Sequence, residues 1–90
     1  MPKLYIPTIM RKNVGGKAIL DVAGVTVSDV IATLVADYPD LKPQLLNDAG
    51  HVRPHINVFV NSEDIRALDG EDTNLAERDE IYVITAMAGG

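Results

Sequence analysis

Ninety residues, 47% of them hydrophobic and 23% charged, describe one ordinary globular domain, long enough to build a core without metals or disulfides. The chain has no cysteine, which excludes a disulfide framework, a cysteine-based zinc site and a thiol nucleophile. The net charge of −5 is unevenly placed: residues 63–80 hold eight of the thirteen acids against only Arg66 and Arg78, so nucleic acid is not an expected partner.

The opening "MPKLYIPTIMRK" is too short and too interrupted for a signal peptide, and no apolar run approaches membrane-spanning length. A cytoplasmic protein with no membrane contact is expected. Leu4 to Met10 reads as a first strand, with Pro7 marking an edge or a bulge. "RKNVGG" supplies turn residues and 17–22, "KAILDV", is a second strand, so the two predict a hairpin.

Thr26-Val27-Ser28-Asp29 has the spacing of a capping box, with Asp in place of the stronger Glu. Val27, Val30, Ile31, Leu34, Val35 and Tyr38 then recur on one helical face, and Pro39 ends the helix. "DLKPQLLNDAGHVRP" is a crossover with a helical turn expected near Gln44–Leu46. In 55–61, "HINVFVN", Ile56, Val58 and Val60 alternate with Asn57, Phe59 and Asn61, the pattern of a strand with one buried face. "NSED" is a turn, "IRAL" a short strand, "DGEDTNLAERD" an irregular loop, and Glu80 to Ala86 the last strand. One long helix must cover one face of a mixed sheet in the order β-β-α-β-β-β, which is an α+β two-layer domain.

Several constellations carry no chemistry. His51 and His55 have zinc-ligand spacing only on a helix, and Pro54 argues against one there. "VGGK" lacks the full phosphate-loop pattern, and the acids of 63–80 lack the spacing of a calcium loop. That acidic stretch is either a solvated rim or a docking surface for a basic partner. If Ile56, Val58 and Val60 face the helix, Phe59 faces outward, and the same alternation puts Tyr82 and Ile84 outward on the last strand. The three are a candidate apolar docking patch. Gly89 and Gly90 then follow the last strand; residues without a Cβ pack nothing, so the pair is either a frayed end or a tail whose thinness matters.

This element order, with one long helix and a Gly89-Gly90 ending, resembles the ThiS/MoaD family of sulfur carriers over essentially the whole chain. "TVSDVIATLVADYPDL" is similar to the family's capped helix and Tyr-Pro stop. "INVFVNSEDIRALDGEDTNLAERDEIYVITAMAGG" is similar to its closing half, and "VFVNSEDIR" with the Ala-Gly-Gly ending is closest to the CysO branch. Two positions depart from the pattern: Glu77-Arg78-Asp79 replaces a frequent Asp-Gly-Asp, and Thr85-Ala86 stands where the family often has proline.

The resemblance implies a ubiquitin-like β-grasp domain spanning 1–90 with a flexible tail at 88–90, and a carrier rather than an enzyme. Gly90, beside Gly89, would be adenylated by an E1-like partner that uses ATP. A sulfur nucleophile would then displace AMP to leave a thiocarboxylate, with no cofactor or metal bound by the carrier itself. Phe59, Tyr82 and Ile84, with Met87 and Ala88, would meet that partner. In the CysO branch the sulfur goes to an aminoacrylate on a pyridoxal-phosphate-dependent cysteine synthase, and a JAMM-type metalloprotease releases the new cysteine. Carriers for molybdopterin, thiamine or tRNA thiolation, a ubiquitin-like modifier of lysines, and a plain interaction module are the alternatives.

Overall fold

The computed structural model describes residues 1–85. Strand β1 (Lys3–Tyr5) pairs antiparallel with β2 (Ile19–Asp21), Leu4 lying opposite Leu20. The expected strand over 4–10 stops at Tyr5. Pro7 has no N–H to offer a ladder, and Thr8–Val14 winds instead into a 3₁₀ helix that turns Met10 and Val14 into the core. Gly15 closes that helix at φ +69°, a left-handed conformation that costs glycine nothing sterically. The hairpin is therefore real, but its connection is a helical segment rather than a tight turn.

Helix α1 (Val27–Asp37) begins as its sequence predicts. Thr26 is extended and its Oγ1 accepts a hydrogen bond from the Asp29 backbone N–H at 3.1 Å. Asp29 reaches back to accept from the N–H of Val25 at 3.2 Å, one residue beyond the usual capping-box partner. Thr26→Ala is expected to lower stability by about 1 kcal/mol, while Thr26→Ser keeps most of it, as chemical denaturation would measure. Val27, Val30, Ile31 and Leu34 are buried, and Val35 and Tyr38 pack against the core from its margin. A 3₁₀ turn (Pro39–Leu41) and the short helix α2 (Lys42–Leu45) follow, so the helical turn expected near Gln44–Leu46 is present but lies earlier, Leu46 being already extended.

Strands β3 (Ile56–Val60), β4 (Glu63–Asp64) and β5 (Glu80–Thr85) complete a five-stranded sheet in the order β2-β1-β5-β3-β4. Only β1 and β5 run parallel, so the sheet is mixed and β5 lies at its centre. Asn61, at φ +56°, makes the turn between β3 and β4 and ties it to the start of β5: its Oδ1 accepts from Glu80 N–H at 3.1 Å. The expected "IRAL" strand is displaced. The pairing residues are Glu63 and Asp64, and Ile65–Ala67 forms a 3₁₀ turn because the Asp64 carboxylate caps it, accepting from Arg66 N–H at 2.9 Å.

The acidic loop is more ordered than its composition suggests. Gly70–Asp72 forms a 3₁₀ turn, and Thr73 and Leu75 hydrogen-bond the backbone around the start of α1 at 3.1 and 2.9 Å. Ile56, Val58, Val60, Ile81 and Val83 face α1 and are buried, so the core lies between the helix and one sheet face. The other face stays open. Among the described residues no helix is long and apolar enough to cross a membrane.

Candidate docking face

Period-two alternation sends Tyr5, Phe59 and Tyr82 to the open side of the sheet, because Leu4, Val58, Val60, Ile81 and Val83 take the core side. The register then aligns them. Ile19 lies opposite Tyr5, Tyr5 beside Tyr82, Tyr82 opposite Phe59, and Phe59 opposite Asp64, one continuous row across all five strands. Ile84, two residues beyond Tyr82, lies opposite Asn57 on the same face. Ile19 and Ile84 are each 46% exposed, high for residues that gain nothing from water.

The centre of the row is braced. The rings of Tyr5 and Tyr82 stack with centroids 4.3 Å apart and planes 14° from parallel. Both hydroxyls donate to one carboxylate: Tyr5 Oη to Glu80 Oε2 at 2.8 Å and Tyr82 Oη to Glu80 Oε1 at 3.2 Å. The hydrogen bond to Glu80, then burial, then the Glu80 charge push the Tyr5 phenol up to about 12.

A raised phenol means that the folded state favours neutral Tyr5. Its stabilising contribution is complete below the ordinary tyrosine value of about 10 and disappears as pH rises through the folded value. A tyrosinate absorbance titration should show a late component near pH 12. Tyr5→Phe should remove that component and Glu80→Gln should bring it to lower pH. Ionisation of every tyrosine near the ordinary value of about 10 would contradict the arrangement.

The structure thus gathers the expected trio Phe59, Tyr82 and Ile84 on one face. Met87, Ala88, Gly89 and Gly90 lie outside the described residues. Reading the sequence alone missed Tyr5, Ile19 and Glu80. The signal for Tyr5 was present, since Leu4 and Ile6 alternate with Lys3 and Tyr5, but its neighbour is chosen by the parallel pairing of β1 with β5. His51 and His55 sit on loop backbone. His51 Nδ1 lies 3.4 Å from Glu71 Oε2 on the surface, and no group of three metal-ligating side chains occurs among the described residues.

Comparison with known proteins places this geometry. The family model described as "ThiS family" matches residues 4–90. The sulfur carrier protein CysO of Mycobacterium tuberculosis is 34% identical over 87 residues, covering 94% of each chain. The small archaeal modifier protein 3 of Haloferax volcanii is 42% identical over 65 residues, covering 72% of this chain and 70% of the modifier. A chain in the crystal structure of the Amycolatopsis orientalis BexX/CysO complex superposes with a TM-score of 0.91 at 30% identity, each chain covered in full.

Proposed function

Because the chain belongs to the ThiS family and is a ubiquitin-like β-grasp sulfur carrier of the CysO type, we propose that its working group is the carboxylate of Gly90. An E1-like partner adenylates that carboxylate with ATP, releasing pyrophosphate. A sulfur nucleophile attacks the acyl carbon, AMP leaves with the bonding pair, and a thiocarboxylate remains to deliver sulfur. The protein is consumed and regenerated as a co-substrate.

The observation that carries this reading is the extent of the family match, which runs through residue 90 and so includes both glycines. The chemistry of the chain agrees with it. A carboxylate is a poor electrophile until its oxygen becomes a leaving group, and the adenylate survives only where water is excluded. Both requirements call for a partner's site and a slender segment to enter it. Gly89 and Gly90 add no Cβ beside the attacked carbonyl. The row through Phe59 and Tyr82, with Ile84 beside it, supplies apolar surface for docking next to the strand that leads to residues 86–90. Met87 and Ala88 extend that contact.

Cysteine formation is the proposed destination, through a pyridoxal-phosphate-dependent synthase and a JAMM-type metalloprotease, on the strength of the full-length similarity to CysO. Attachment of Gly90 to protein lysines is the second reading, favoured by the similarity to the archaeal modifier. Intact mass separates them. Incubation with ATP, the E1-like adenylating enzyme and sulfide is expected to yield a species heavier by one oxygen-to-sulfur exchange, localised to Gly90. Unchanged mass overturns the carrier reading, and lysine-linked adducts replace it with the modifier.

A further inference from the structure

On the open sheet face Lys3 and Arg66 are already paired. Lys3 Nζ lies 3.1 Å from Asp21, and Arg66 lies 3.8 Å from Asp64 and donates to the side chain of Asn57. Glu80 differs. Among the described residues its two oxygens accept only from the hydroxyls of Tyr5 and Tyr82, and no ion pair includes it. Lys3 is its cross-strand neighbour, yet Lys3 gives its ammonium to Asp21 on the other side.

A carboxylate has about four acceptor positions, and here neutral donors take two of them. The charge lies against the stacked tyrosines, two residues along β5 from Tyr82 and so beside the row that holds exposed Ile19 and half-buried Phe59. A partner covering this row with apolar surface alone would strip water from Glu80 and return nothing, which disfavours binding. A partner bringing a guanidinium or ammonium replaces that water with a charge-assisted hydrogen bond. The acidic excess of residues 63–80 selects for the same class of surface.

We propose that Glu80 is the specificity determinant of the open face, pairing with an arginine or lysine of the activating enzyme while Tyr5 and Tyr82 hold its carboxylate in position. The proposal rests on the carrier reading above and adds the chemistry its partner must bring: an apolar surface flanked by a basic side chain. Glu80 acts by recognition, away from the reacting acyl group.

The test compares full-length wild-type and Glu80→Gln protein in binding to the E1-like adenylating enzyme of the same genome, at about 0.05 M and about 0.5 M salt. The amide keeps the shape and an acceptor for one hydroxyl but removes the charge. Affinity is expected to fall on the order of tenfold at the lower salt and about twofold or less at the higher, because salt has already screened the wild-type pair. Unchanged affinity overturns the proposal. Equal losses at both salts also overturn it, since they assign Glu80 to bracing the tyrosines alone. If Glu80→Gln does not fold, wild-type binding decides: an affinity insensitive to salt overturns the proposal. Wild-type protein that gains sulfur while Glu80→Gln binds normally defeats only this inference. Wild-type protein that neither binds nor gains sulfur defeats the carrier reading and this inference together.

Discussion

Deletion of Gly90 is expected to abolish the sulfur gain completely while leaving the folded domain as stable as before. One extended residue spans at most about 3.3–3.6 Å, so the deletion withdraws the carboxylate by that distance from wherever the partner presents its ATP. Displacements of about 1 Å at a reacting centre already cost on the order of a hundredfold in rate. A glycine still stands last, so the loss would report reach rather than residue type. Gly90→Ala makes the complementary change, keeping the reach and adding a methyl beside the attacked carbonyl. A partial loss is expected there. Stability should not respond to either change, because the core of Leu4, Leu34, Leu41, Ile56 and Ile81 lies within residues 1–85. Sulfur incorporation by the deleted protein at the wild-type rate would remove Gly90 from the proposed chemistry.

The second large effect is expected from Phe59→Asp. Phe59 lies between Tyr82 and Asp64 in the register and is half-buried, so a carboxylate there still meets water and the fold should survive at a cost of about 1 kcal/mol. Docking should suffer far more. The substitution deletes an aromatic anchor from the middle of the row and places a new negative charge opposite Asp64. Adenylation at limiting carrier concentration is expected to fall about 100-fold, equivalent to about 2.7 kcal/mol, with kcat at saturation nearly unchanged. Val58→Asp, one residue away but facing the core, should instead unfold the domain. Normal adenylation of a folded Phe59→Asp protein would remove the face from the docking proposal.

Local pattern was a good guide where one physical signal dominated. The Thr26 cap, the 3.6-residue periodicity to Tyr38 and the Pro39 stop specify α1 through short-range interactions alone. The alternation in Ile56–Val60 specifies β3 and its two faces in the same way. Signals competed elsewhere. Thr8–Met10 has β-forming side chains, but Pro7 breaks the ladder and burial of Met10 and Val14 favours a helical turn. "IRAL" has the composition of a strand, but the Asp64 carboxylate captures the Arg66 N–H and bends the chain first.

The sequence by itself therefore determined the fold class, the main helix, the inward and outward residues of β3 and β5, and a full-length likeness to the sulfur carriers. The first three follow from spacing within a dozen residues, and the last is a resemblance carried by segments along the chain that end in Gly89-Gly90. Only the tertiary structure decided that Ile19, Tyr5, Tyr82 and Phe59 form one row, because strand register couples residues as distant in sequence as Tyr5 and Tyr82. It also decided that Glu80 holds both tyrosyl hydroxyls and has no ion-pair partner among the described residues. Hydrogen bonds and charge pairs of this kind depend on distances in space, and no periodicity along the chain encodes them.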